Sequence, residues 1–179
     1  MIALLQTVII AGDCGERSLT REIAAACIRS GGAIVYDGMR MRQEGNQPSF
    51  LVLSLPSLPE QITAGSIIVL GKAAEQTGRL PDLSGYICIL DGENPAAVRL
   101  AAAAGAIAVG CSMSGHDTLT VSGFNEDDTM LVTLRRRLVT DAVIREPCEL
   151  TVHRSSEQQI YPALAATGVL LLSGRDSDL

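Results

Sequence analysis

Residues 7–32 read TVIIAGDCGERSLTREIAAACIRSGG. The run TVIIA is continuously apolar instead of alternating, which is expected of a strand covered on both faces and so of a parallel sheet between helices. From Ser18 to Ser30, Ile23, Ala26, Cys27 and Ser30 recur at helical spacing, and Gly31-Gly32 stops the helix. Strand, glycine-bearing turn and helix together form the layout of a phosphate-binding loop, in which backbone N–H groups and a helix N-terminus hold an anion.

The same signal repeats outward from this stretch. AIVYD (33–37), FLVLSL (50–55), SIIVLG (66–71), YICIL (86–90) and AIAVGC (106–111) are further buried-strand candidates. NPAAVRLAAAAG (94–105) predicts a helix with Pro95 in its first turn and Gly105 as its stop. GMRMRQEGNQPS (38–49) is polar without an apolar period and predicts a surface loop.

From Asp117 the period changes. DTLTVSGF, TMLVTLRRR and CELTVHR alternate apolar and polar residues, which predicts three antiparallel strands with one wet face. Arg135, Arg136 and Arg137 read as an anion site or as a solvated edge, and the alternation of faces along a strand favours the edge. EQQIYPALAATGVLLLSG (157–174) predicts a closing helix, with Pro162 near its start and Gly174 at its cap. The expected fold is therefore α/β: a mostly parallel, P-loop-like sheet flanked by helices, plus a small three-stranded antiparallel sheet. Without a linker or repeat, residues 1–174 read as one domain, 117–153 as its antiparallel part and 175–179 as a polar tail.

Composition narrows the function. The 179 residues carry a net charge of -6 and no Trp, so neither counterion release nor base stacking favours nucleic acid as a partner. No stretch reaches the roughly 18 apolar residues of a membrane span, and MIALLQTVII lacks a basic region and a cleavage site, so a cytoplasmic location is expected. Five widely spaced cysteines without a Cys-x-x-Cys pair indicate neither a disulfide framework nor zinc. Cys27 and Cys88 lie in apolar runs, as small core residues do.

Four stretches in order resemble the middle, ATP-binding domain of the Mur ligases. AGDCGERS (11–18) is similar to that family's Thr-Gly-Thr-Asn-Gly-Lys-Thr-Thr loop, with Gly12 and Gly15 on its glycines and Ser18 on its second hydroxyl residue. DGENP (91–95) matches its Asn-Ala-Asp-Asp-Pro stretch, VGCSM (109–113) its Tyr-Gly-Leu turn, and QQIYPALAA (158–166) the start of its His-Asn-x-x-Asn-Ala-Leu-Ala-Ala helix. The resemblance covers nearly the whole chain and implies that the family's flanking UDP-substrate and amino-acid domains are missing.

It also implies lost ligase chemistry. Glu16 stands where the family's phosphate-binding lysine belongs, and a unit charge pair at 4 Å is worth about 4 kcal/mol at an effective dielectric near 20, here as repulsion. Arg17 is adjacent but diverges in direction. LVLSLPSLP (51–59) holds no acid where the family ligates magnesium, KAAEQTGRLPD (72–82) lacks the Asp-His-Leu-Asp motif, and the adenine-side His-Asn becomes Gln158 and Gln159. Without metal ligands the charge developing in phosphoryl transfer goes unneutralised.

The candidate site is accordingly the loop Gly12, Asp13, Cys14, Gly15, Glu16, Arg17 and Ser18, as a plain strand-to-helix turn or as a residual anion binder. Asp13 or Glu16 would be a good helix-dipole partner. Cys14 reads as a loop cysteine or as a nucleophile with only His116 and His153 to activate it. GHDT (115–118) could orient a water or simply turn the chain. Asp91, Glu93 and Asp117 read as metal oxygens or as caps. No catalytic residue, resident metal or cofactor is expected, and ATP with magnesium is disfavoured. The reading that follows is a non-catalytic module working through a protein partner, self-association or a small ligand; the alternative is a weak nucleotide binder or a ligase-like enzyme with a rebuilt site.

Overall fold

The computed structural model describes residues 5–13, 15, 17–74, 79–126, 128–140, 143–153 and 159–175. In chain order the elements are β1 (Gln6–Ala11), α1 (Ser18–Gly31), β2 (Ala33–Tyr36), β3 (Met41–Glu44), β4 (Phe50–Leu55), β5 (Ile67–Leu70), β6 (Ile87–Asp91) and α2 (Pro95–Ala103). They continue with β7 (Ile107–Ser112), β8 (Leu119–Phe124), β9 (Thr129–Leu134), β10 (Leu138–Val139), β11 (Ile144–Arg145), β12 (Cys148–His153) and α3 (Ile160–Leu172).

β1 lies inside the sheet, parallel to β4 on one side and to β5 on the other. That position explains its composition, because Val8, Ile9, Ile10 and Ala11 are all buried and a polar side chain on either face would be stranded. The full sheet has 10 strands in the order β12-β9-β8-β7-β6-β5-β1-β4-β2-β3. Pairing is parallel from β8 through to β2 and antiparallel at both ends.

The expected antiparallel trio is β8, β9 and β12, and it extends the main sheet through the short β7–β8 seam Cys111↔Leu119 and Ser112↔Thr120. β10 and β11 form a separate two-stranded sheet. One expectation fails: the polar stretch 38–49 is not all loop, because its residues Met41–Glu44 form β3, antiparallel to β2 at the edge of the sheet. All four are exposed, so no face of this strand needs apolar residues and no periodicity marks it.

α1 and α3 share one face of the sheet. α1 contributes Leu19, Ile23 and Cys27 to a core that also holds Phe50, Val52, Ile89, Leu164 and Leu170; each large side chain buried there stabilises the fold by about 1.5–3 kcal/mol. α3 is buried from Tyr161 through Leu172, which is why its sequence is apolar all round. Gly168 brings it close to the sheet, since a Cβ there would lie 3.1 Å from the Ile89 and Leu119 Cδ1 atoms. α2 covers the other face, where Ala97 and Ala101 pack with Ile68, Leu70, Leu83 and Leu90.

Candidate functional site

In an open parallel sheet, ligands enter at the carboxyl ends of the strands where the connections reverse direction. Here the reversal falls between β1, whose chain leads through α1 to β2, and β5, whose chain leads through β6 to β7. A cleft of about 190 Å³ lies at that place, lined by Gly12, Asp13, Ser18 and Leu19 of the first loop and helix, Lys72 and Ala73 after β5, and Gln159, Tyr161 and Pro162 at the start of α3.

Its floor is backbone against backbone. Gly71 N–H donates to Ala11 O at 2.7 Å, and Ala73 N–H donates to Gly12 O at 3.1 Å. Gly12 has φ +80, and a Cβ there would overlap the Ala74 backbone, so glycine is required for both conformation and space. Gly15, with φ +95, has nothing within 4 Å of its Cβ position and faces open space.

Asp13 occupies the N-terminus of α1. Its Oδ2 accepts the Thr20 backbone N–H and the Thr20 hydroxyl, each at 2.6 Å, and Thr20 Oγ1 also lies 3.0 Å from Ser54 Oγ. A carboxylate thus sits where a phosphate would meet the helix dipole and takes up an N–H that such an anion would use. Arg17 is the cap residue, in left-handed conformation at φ 52 and ψ 27, and its guanidinium lies 3.8 Å from Asp37 Oδ1. Asp37 is held below the usual carboxylate range by the N–H groups of Arg40 and Met39, with Arg17 and Arg42 adding to it. Cys14 and Glu16, like Gln158, lie outside the described residues.

Lys72 is the residue that the sequence reading passed over. It is the single lysine of the chain, directly after the buried strand β5, and it is exposed at the cleft while its carbonyl accepts from Asn94 Nδ2 at 3.3 Å. Its rarity was the available signal. Tyr161 closes the cleft from α3 with its hydroxyl donating to Leu70 O, and burial foremost pushes that phenol well above its ordinary pKa.

Beside the cleft, Asn94 caps α2 by accepting from Ala96 N–H at 3.1 Å and Ala97 N–H at 3.4 Å. Asp91 Oδ1 accepts the Glu93 N–H at 3.0 Å, while Asp117 accepts the Ser112 hydroxyl. Asp91, Glu93 and Asp117 thus make turn and loop contacts, and among the described residues no three His, Cys, Asp or Glu groups gather to hold a metal ion. His116 is exposed in the turn before Asp117, where its carbonyl accepts from Arg136 Nη2 at 3.2 Å. His153 is exposed on β12. Arg135, Arg136 and Arg137 are exposed just past β9, and Arg137 pairs with Glu146 at 2.9 Å. No helix of the described residues is long and apolar enough to cross a membrane.

No protein-family model matches the chain, and neither does any curated protein. Among solved structures, a UDP-N-acetylmuramoyl-L-alanyl-D-glutamate–2,6-diaminopimelate ligase aligns over 97% of this chain with a TM-score of 0.59. The fold is that of the Mur ligases. A second one, the UDP-N-acetylmuramate:L-alanyl-gamma-D-glutamyl-meso-diaminopimelate ligase of Neisseria meningitides, aligns over 98% of the chain with a TM-score of 0.51. Identity is 11% in both, so the likeness to the Mur ligases is one of fold. The chain spans 44% of the first ligase and 64% of the second.

Proposed function

We propose that this chain is a non-catalytic Mur-ligase-like domain that works through a partner or a small ligand, in the setting of cell-wall precursor metabolism that the names of its structural neighbours suggest. One observation carries the reading: the Asp13 carboxylate occupies the head of α1 and engages Thr20 N–H and Oγ1. A triphosphate entering there meets a fixed negative charge, and Glu16 in place of a lysine adds a second. Calorimetric titration with magnesium-ATP is expected to give no heat of binding; micromolar, magnesium-dependent binding overturns the proposal. In the double variant Asp13→Ala/Glu16→Lys both obstacles are removed, and weak ATP binding without turnover is expected.

A second reading rests on Lys72, the only lysine, standing at the cleft beside Gly12 and Ser18. On that reading the cleft takes a small anion, and pyrophosphate raises the melting temperature of the parent chain by an amount that keeps growing with the logarithm of its concentration above the dissociation constant. Lys72→Ala abolishes that shift if the reading holds and leaves it intact if it does not.

A further inference from the structure

β3 ends the sheet, and no strand lies beyond it among the described residues. Which of its backbone groups face outward follows from the β2–β3 hairpin. Asp37 N–H donates to Arg40 O at 3.2 Å, so Asp37 and Arg40 are a hydrogen-bonded pair. Alternation along an antiparallel ladder then makes Val35↔Arg42 and Ala33↔Glu44 hydrogen-bonded pairs and turns the N–H and C=O groups of Met41 and Gln43 away from β2. β3 contains neither proline nor lysine, residues that commonly blunt such an edge.

Side chains alternate as well. Met41 and Gln43 lie on the face of Tyr36 and Ile34, while Arg42 and Glu44 lie together on the opposite face, with Arg42 Nε 3.5 Å from Glu44 Oε1. We propose that β3 pairs antiparallel with β3 of a second copy of this chain about a two-fold axis through Gln43. The two Gln43 residues then exchange both backbone hydrogen bonds, as their outward groups require. One residue to either side, Arg42 faces the partner subunit's Glu44 and Glu44 faces the partner subunit's Arg42, both in the closer, non-hydrogen-bonded kind of pair. A two-fold axis through Arg42 or through Glu44 would set like charges opposite each other, so the charges select this register. The surface is self-complementary, which a two-fold interface demands. Met41, 67% exposed, is brought into the joined sheet.

The inference rests on the interaction reading above and names the partner. Sedimentation equilibrium on the full chain is expected to show a mass that rises with concentration from 18.8 kDa towards twice that value. Gln43→Pro removes an outward N–H and the exposed bond from Gln43 Nε2 to Gly45 O, and no bond to β2, so it is expected to hold the mass at the monomer value while circular dichroism stays that of the parent. Arg42→Glu sets like charges opposite each other and weakens association by about tenfold or more, and adding Glu44→Arg to it restores the parent behaviour. A monomer at every concentration overturns the proposal, as does a dimer indifferent to both Gln43→Pro and Arg42→Glu. Magnesium-ATP binding, by contrast, overturns the non-catalytic reading and leaves the dimer standing.

Discussion

The Asp117 carboxylate lies directly against the Cα of Gly92, so that a Cβ on Gly92 would overlap both carboxylate oxygens. Gly110 meets the same carboxylate from the neighbouring strand, and the Ser112 hydroxyl donates to it. This contact locks the loop after β6 to the turn before β8. Gly92→Ala or Gly110→Ala is expected to destabilise by about 1–3 kcal/mol through overpacking, seen as a lowered urea midpoint at unchanged m-value. Gly115→Ala, whose Cβ would find only Arg135 Nη1 at 3.9 Å, serves as the neutral control. An unshifted Gly92→Ala midpoint would show that the carboxylate moves freely.

Asp13 acts as an acceptor for the head of α1. Replacing it with Ala strips two hydrogen bonds from Thr20 and is expected to cost about 0.5–2 kcal/mol, as the loss of a helix cap does. Asp13→Asn keeps an oxygen in place and is expected to lose less. Thermal unfolding of the two variants ranks them, and equal losses would contradict the capping role.

The thiols divide by environment. Burial pushes Cys27 and Cys88 from 9.0 up to about 12 and raises Cys111 well above its ordinary value, with the Asp117 and Asp91 charges adding to the last. Cys148 is exposed. A thiol-specific reagent at neutral pH is expected to label Cys148 in the folded chain and the three buried cysteines only on unfolding, as peptide mass mapping can check.

The same shifts set an alkaline limit. A thiol whose folded pKa is raised contributes stability that is fully present below its unfolded value and is lost as pH climbs from 9.0 towards about 12. Urea midpoints are expected to fall across that window, and to fall less steeply in Cys27→Ala/Cys88→Ala.

Arg175 ties α3 to the end of α1. Its Nη1 donates to Ser30 O at 2.7 Å and its guanidinium lies 5.9 Å from the centre of the Phe50 ring. Arg175→Ala is expected to cost about 1–2 kcal/mol from the helix C-terminal charge and the ring contact together. Arg175→Lys should recover part of the charge and little of the planar contact, so a full recovery would speak against the ring.

What could be read from residues alone follows burial. β1, β4 and β5 were legible because TVIIA, FLVLSL and SIIVLG are apolar on both faces, and α2 because Asn94-Pro95 opens it. β3 was not, because Met41-Arg42-Gln43-Glu44 is exposed on both faces and owes its form to β2 alone. The loop 12–18 was recognisable as a turn, yet the bond from Asp13 to Thr20 depends on the path between them. Nor does any local pattern connect Asp117 with Gly92 or Lys72 with Gly12, which meet only once the sheet has formed.

The central position of β1 carries a consequence for biosynthesis. Its two neighbours, β4 and β5, are made only later, and α1 waits for residues 160–172 before its apolar side is covered by α3. The first strand and helix therefore leave the ribosome without the surfaces that hold them. At elongation rates of about 5–20 residues per second, Val8, Ile10, Ile23 and Cys27 stay open to water for several seconds at least, and a nascent chain halted before residue 160 is expected to be sensitive to protease and to hold chaperones along β1 and α1.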